Sequence, residues 1–344
     1  MQKVKAVLGA AALVLGLNFQ AANAQEAKEL CIFDPAGANG YIYQMYKEYR
    51  RDILSTGVQV NLVPYRNEDR LIEDFEKKLC DMAAVTDMGA RKYNNFTGAI
   101  SAVGAIPRYE DLRVLLYILG GSRAAKYMET DTHQVIGVLP MGAAYLFGND
   151  HSMTDIEDLK GKRFTVLADH YDAEYMVKYV GGVPVPSRIS NFAEIFNSGG
   201  ADVIYAPITA YEFLELYKGM GNNGGVADYP VGQVTSQLIV RKGEFDDKFV
   251  KRSRKVVSRM YPEAMRLIRY YEKAIPDEAW IKISDEDIRG YQEMFRQVRI
   301  KLQGLDADEN PAAKVFNEQM MTTLRKVRCY TNPGNPECSS SDRE

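Results

Sequence analysis

The chain has 344 residues, 43 Lys and Arg against 46 Asp and Glu, a net charge of −3 and 46% hydrophobic residues. That composition suits a globular chain with enough apolar mass for about two domains. The slight acidity excludes nucleic acid as a main partner, because phosphate contacts need basic surface.

In chain order, the first signal is an export signal. Lys3 and Lys5 give a basic start, residues 6–17 are almost all apolar, and Ala22-Asn23-Ala24 reads as a small-residue cleavage site ahead of Gln25. The apolar run is about 12 residues where a membrane span needs about 20, so residues 1–24 read as a cleaved signal peptide. Removal of its two lysines takes the net charge from −3 to −5. The residue after the cut is not cysteine, so the pattern suggests no lipid anchor there. No later stretch carries 18 uncharged apolar residues.

All four cysteines, Cys31, Cys80, Cys329 and Cys338, follow the signal. Outside the reducing cytosol an even number favours two disulfides, with three possible connectivities and four free thiols as the alternative. Cys329 and Cys338 flank a short Pro- and Gly-containing segment that is cheap to close, which leaves Cys31 with Cys80. Metal binding is not expected: there is no Cys-x-x-Cys and no paired-His spacing.

Leu30–Asp34, Gln59–Pro64 and Cys80–Thr86 read as strands separated by helices at Tyr41–Leu54 and Glu68–Lys78. This β-α-β-α-β opening predicts a parallel sheet with the first and third strands adjacent. Cys31 and Cys80 then start neighbouring strands, which supports their pairing. Leu112–Leu119, Gln134–Leu139 and Ala143–Gly148 are further strand candidates. Lys162–Leu167, a helix over Asp172–Val180, extended Val183–Pro186, a helix over Asn191–Phe196, strand Asp202–Ala206 and a helix over Thr209–Lys218 form a second β-α-β-type unit. Strand Val234–Val240 follows. From Asp246 the apolar spacing is helical, with Pro262 restarting the element, and two more helices are expected at Asp285–Leu302 and Pro311–Arg325. Residues 339–344 read as a disordered tail.

Catalytic constellations are hard to assemble. There are three histidines, His133, His151 and His170, and no HExxH, Gly-x-Ser-x-Gly or Walker loop. The chain is therefore not read as an enzyme, and no cofactor is implied. An enzyme would need a pair such as His170 with Asp169 or Asp172. Binding loops are easier to build. In open α/β sheets ligands sit beyond the carboxyl ends of the strands. Those ends offer Asp34, Asn39 and Tyr41, then Thr86, Asp87 and Arg91, then Asp169 and His170, then Tyr205 and Thr209. Tyr supplies area and a hydroxyl, Arg a fork for carboxylate or phosphate, Asp a partner for an amine or hydroxyl. The competing reading makes Asp34 and Asp87 helix caps, Tyr205 a core residue and Arg91 a partner of Asp87.

The run DIEDLKGKRFTVL, followed by GGVPVPSRISNFAEIFNSGGADVIYAP, resembles the substrate-binding proteins of TRAP-type transporters (DctP-like). The matching positions are Asp158-Leu159-Lys160-Gly161, Gly181-Gly182, Val185-Pro186, Glu194, Gly199 and Asp202. The stretch CDMAAVTDMGARKYNNFTGAISAVGAIP looks like a divergent solute-binding branch from Gram-negative bacteria. The resemblance implies an α/β, two-lobed periplasmic-binding-protein-like fold with a helical C-terminal region. Residues 25–139 plus 230–338 would form lobe I and 140–229 lobe II. It implies a periplasmic receptor that closes on a small-molecule solute and presents it to a membrane transporter. A periplasmic adaptor acting in an efflux or envelope system through protein contacts is the alternative. One departure matters: Thr165 stands where the family carries a carboxylate-binding arginine. Either Arg163, two residues earlier and of the same strand parity, substitutes for it, or the ligand is not a simple organic acid; the resemblance therefore implies the fold and the binding role and not the acid specificity, and both residues join the candidate ligand set.

Overall fold

The computed structural model describes residues 27–168, 170–306 and 308–344. The expected signal peptide, residues 1–24, and the candidate Asp169 lie outside the described residues.

A mixed sheet of ten strands organises the fold. Its first part is β1 (Lys28–Phe33), β2 (Val60–Tyr65) and β3 (Met82–Thr86), paired in parallel in the order β2-β1-β3. The two long strands β4 (His133–Gly148) and β9 (Gly232–Arg241) follow. β9 pairs antiparallel with β3, and β4 antiparallel with β9. On the far side lie β5 (Arg163–Leu167), β6 (Val183–Ser187) and β7 (Val203–Pro207), in the order β7-β5-β6 with parallel pairing. The two outer thirds therefore repeat one topology, first strand between second and third, around a two-strand bridge. β8 (Gly225–Ala227) pairs with β4 and with β10 (Trp280–Ile281).

Alternation along β1 explains the layering. Leu30 and Ile32 enter one core with Met45, Tyr46 and Phe249; Cys31 and Phe33 enter another with Phe75, Leu115 and Leu324. Helices thus cover both faces, as a parallel sheet requires. Phe164, Val166 and Val177 form a third core, and Phe147, Phe196 and Ile204 a fourth, around the second half of the sheet.

Several elements differ from the sequence expectation. Residues 112–119 are not a strand but part of the helix Tyr109–Leu119, whose buried Leu112, Leu115, Leu116 and Leu119 keep helical spacing. The two expected strands between 134 and 148 are one strand, bent by register shifts at Val135/Gly137 and Pro140/Gly142. The helix expected over 209–218 is two short ones, Ala210–Phe213 and Tyr217–Met220, separated at Glu215, whose φ is 52°. Pro311–Val315 is a single 3-10 turn before the helix Glu318–Thr331.

The C-terminal third divides between the halves. The helix Asp285–Gln303 packs Tyr291, Phe295 and Val298 into the third core, while Glu318–Thr331 returns Met320 and Leu324 to the first. The segment 339–344 also departs from expectation. Glu344 is buried, accepting from Arg299 Nε at 2.9 Å and Arg328 Nη2 at 2.8 Å, and Arg328 also holds Glu337 through two bonds of 2.7 Å. Two buried guanidiniums need carboxylates beside them, and this tail supplies one. Both expected disulfides are present: Cys31–Cys80 ties β1 to the approach of β3, and Cys329–Cys338 closes the last helix onto its following turn. Among the described residues no helix is long and apolar enough to cross a membrane.

Candidate functional site

The carboxyl ends of β1, β3, β5 and β7 converge on one cavity. Asp34 follows β1. Its Oδ1 accepts from the Ala36 amide at 2.9 Å and its Oδ2 from the Tyr43 amide at 3.1 Å. Burial pushes its pKa up, and these amides pull it partly back. Gly40 makes this seat possible, because a Cβ there would lie 1.9 Å from Asp34 Oδ1. Tyr41 opens the next helix. Its hydroxyl donates to the Met141 carbonyl at 2.5 Å and accepts from Thr209 Oγ1 at 3.3 Å. It therefore ties the β1 end to the bend of β4 and the loop after β7.

At the end of β3, the Thr86 hydroxyl accepts from the Gly89 amide at 3.1 Å and donates to Glu68 Oε2 at 3.0 Å. Asp87 Oδ2 accepts from the Thr235 amide at 3.0 Å and hydroxyl at 3.2 Å. Both carboxyls are buried, Asp87 fully and Glu68 at the wall of the outer cleft. Burial pushes Glu68 up to about 7 and Asp87 up to about 6, and the hydrogen bonds oppose this.

On the opposite side, His170 Nδ1 lies 2.7 Å from the Tyr205 hydroxyl, and its Nε2 lies 3.5 Å from Asp172 Oδ1. Burial pulls the imidazole down to about 4, so it is neutral at pH 7. A proton on Nε2, facing the carboxylate, leaves Nδ1 to accept from Tyr205, which in turn accepts from the Leu167 amide at 3.4 Å. Asp172 Oδ2 also accepts from the Val103 amide at 3.3 Å. Arg91 completes this network. Its Nη1 stands 3.7 Å from Asp172 Oδ1, and it donates to the Gly98 carbonyl at 3.2 Å and to Ser101 Oγ at 2.9 Å.

The cavity between these groups has a volume of about 150 Å³. Its walls are mainly apolar, including Ile42, Met88, Val103, Met141, Met176 and Phe213. Gln233, at the start of β9, also lines it; the side chain is 1% exposed, and both Oε1 and Nε2 lack a partner. A larger cleft of about 850 Å³ adjoins it, sharing Met88, Leu167 and Ile189. Among the described residues no cluster of His, Cys, Asp and Glu could hold a metal ion.

Seven of the residues singled out from sequence, Asp34, Tyr41, Thr86, Asp87, His170, Tyr205 and Thr209, line the inner cavity. Arg91 lines the outer cleft. Asn39 is exposed and Thr165 is buried in β5 with an unpartnered hydroxyl; neither lines the cavity. Arg163 does not reach the cavity either. It donates to Asp202 from Nη2 at 2.7 Å and Nε at 3.0 Å, and to the carbonyls of Gly199 and Gly200. Sequence reasoning missed Gln233, Met141 and Phe213. The first two come from the antiparallel bridge strands, which the strand-end rule does not cover, and Phe213 ends a short helix whose facing the local pattern does not give.

The profile of the family described as solute-binding protein AdeT 1/2 matches residues 51–343. The chain is 32% identical over 311 residues to the Acinetobacter baumannii protein named "Probable solute-binding protein AdeT1", covering 90% of this chain and 100% of that one. Solved TRAP periplasmic solute-binding proteins share the fold. One from Desulfovibrio salexigens with bound orotic acid superposes with a TM-score of 0.70 at 11% identity, covering 88% of this chain and 98% of that one. One from Rhodoferax ferrireducens with bound malonate gives 0.67 at 12% identity, covering the same 88% and 98%. The repeated half-sheets, the bridge strands and the cavity between the strand ends are the features of a two-lobed solute-binding protein, and the chain belongs to the AdeT 1/2 family of solute-binding proteins.

Proposed function

We propose that this chain is exported to the periplasm, with cleavage after Ala24, and captures its solute in the cavity lined by Asp34, Tyr41, Asp87, His170, Tyr205 and Gln233. The observation that supports this reading most is convergence. Two parallel pairs of strands, one from each topologically repeated half and running in opposite directions across the antiparallel bridge, end on one cavity, where each half contributes polar groups to an otherwise apolar wall. That is where open α/β sheets bind ligands. Lobe I would comprise residues 25–139 with the bridge strand and the helices packed on it, and lobe II residues 140–229 together with the helix Asp285–Gln303. The solute would be bound without turnover. The liganded, closed form would be the one a membrane transporter recognises, which requires tighter binding by the closed state than by the open one.

The acid specificity of the superposing proteins does not carry over. Among the described residues no arginine lines the inner cavity, Arg163 is engaged with Asp202, and Thr165 sits inside β5. The test is a titration of the mature chain against a solute library, read as thermal stabilisation. A ligand at a hundredfold excess over Kd adds about 2.7 kcal/mol. Stabilisation that is lost in Tyr205→Ala supports the site; stabilisation that persists there moves the site elsewhere.

A further inference from the structure

We infer that the solute this cavity takes is a small organic cation, an amine on a compact apolar body, rather than a carboxylic acid. The inference rests on the receptor reading above and names the ligand class of the same site.

The charge inventory points this way. Asp34 and Asp87 stand in the inner wall, and among the described residues no Lys or Arg does. The guanidinium of Arg91 lines the outer cleft rather than this wall; its Nη1 stands 3.7 Å from Asp172 Oδ1 and its charge also acts on Asp87, so two carboxylates already oppose it. His170 hydrogen-bonds Tyr205 on one side and faces Asp172 on the other. A carboxylate brought into this space would be buried beside Asp34 and Asp87 with no Lys or Arg in the wall among the described residues, whereas an ammonium would meet partners for its donors. Asp34 and Asp87 spend lone pairs on backbone amides but keep acceptor capacity, since an ionised carboxylate offers about four sites.

Two independent observations agree. The Gln233 amide is buried, lines the cavity and has neither its oxygen nor its nitrogen partnered. Leaving such a group unsatisfied is costly; a ligand donor would satisfy its oxygen and a ligand acceptor its nitrogen, so it marks a polar contact with the solute, and the choice of charge rests on the two carboxylates. The rest of the wall is apolar and aromatic, including Tyr41, Phe192 and Phe213, which suits a hydrocarbon body and offers ring faces to a cation. The volume of about 150 Å³ matches a single-ring or short-chain body.

The test uses the mature full-length chain and three matched series, amine, alcohol and carboxylate, each on benzyl, phenethyl and hexyl skeletons, titrated by calorimetry. The expected result is that on at least one skeleton the amine binds at least tenfold tighter than both partners. Asp34→Asn is expected to lower the amine-to-alcohol affinity ratio at least tenfold. Asp87→Asn serves as the second variant if Asp34→Asn fails to fold. The ratio is the readout because a general loss of folded protein does not move it. Carboxylates binding as well as amines, alcohols matching amines, or no series binding would each overturn the cation assignment. Native mass spectrometry of periplasmic protein separates the two failures. A bound acid or neutral compound keeps the receptor reading and removes only the cation, whereas no bound compound together with no binding by any series removes both.

Discussion

Arg163 and Asp202 are joined by two charge-assisted bonds, Nη2 to Oδ1 at 2.7 Å and Nε to Oδ2 at 3.0 Å, across the starts of β5 and β7. The pair fastens two parallel strands at the edge opposite the cavity, because the cavity groups lie beyond the carboxyl ends of those strands. Asp202 is held down to about 2 by this partner. Arg163→Ala is therefore expected to leave solute affinity within about twofold and to lower the melting temperature only slightly, since exposed ion pairs contribute little. Calorimetric titration beside a thermal melt checks this; a tenfold loss of affinity would make Arg163 part of the site.

The two disulfides should differ in value. Cys31–Cys80 closes a separation of 49 residues and Cys329–Cys338 one of 9. Chain-entropy arguments give about 4 kcal/mol for the longer loop and about 2.5 kcal/mol for the shorter. Urea unfolding of the Cys31→Ser/Cys80→Ser and Cys329→Ser/Cys338→Ser variants should rank them in that order.

The buried cluster around Arg328 should be sensitive. Arg299 and Arg328 share the Glu344 carboxylate, and of the two guanidiniums Arg328 is the one that bonds Glu337. Glu344→Ala leaves Arg299 buried without its carboxylate, which costs about 3–5 kcal/mol by the pattern for broken buried pairs. The expected outcome is a large drop in the urea midpoint, and a change under about 1 kcal/mol would show that the guanidiniums find other partners.

Glu68 gives a pH signature. Its folded pKa of about 7 lies above the roughly 4.3 of an unfolded glutamate. Between those values the native state holds a proton the unfolded chain has released, so this contribution to stability is present below about pH 4 and is lost as pH rises through 7. Asp87, at about 6, acts in the same sense, and His170, held down to about 4, acts in the opposite sense as pH falls. The difference between wild type and Glu68→Gln across pH 4 to 8 reports the Glu68 part together with its repulsion from Asp87. The wild type should lose stability relative to the variant as pH rises, with no further change above about pH 8.

Much of the architecture is legible in the sequence because the physics that sets it is local. Alternation in Leu30–Phe33, the amphipathic helix from Tyr41 and the turn residues around Gly37 and Gly40 are enough to place β1, its crossover and the Asp34 loop. Residues 109–119 mislead because exposed Tyr117 and Ile118 fill the helical pattern into a continuous apolar run that imitates a buried strand. The tail misleads for a different reason: only the folded molecule shows that Arg299 and Arg328 are buried and require Glu344. Strand-end residues such as Asp34, Thr86, Tyr205 and Thr209 follow from the sheet rule. Gln233 does not, because its facing depends on how β9 crosses between the two halves.

Gly40 provides a probe of the site that replaces no lining side chain. Any Cβ there collides with the Asp34 carboxylate, so Gly40→Ala should shift Asp34 and lower solute affinity at least tenfold, while Gly57→Ala, which meets nothing within 4 Å but sits at φ 84°, should cost stability without affecting affinity.

The most direct measurement of the central claim is native mass spectrometry of the mature protein taken from the periplasm of its own host. The account predicts one small molecule per chain, released on unfolding and absent from Asp34→Asn and Tyr205→Ala. A bare chain that no compound stabilises, or a bound molecule retained by both variants, would contradict it.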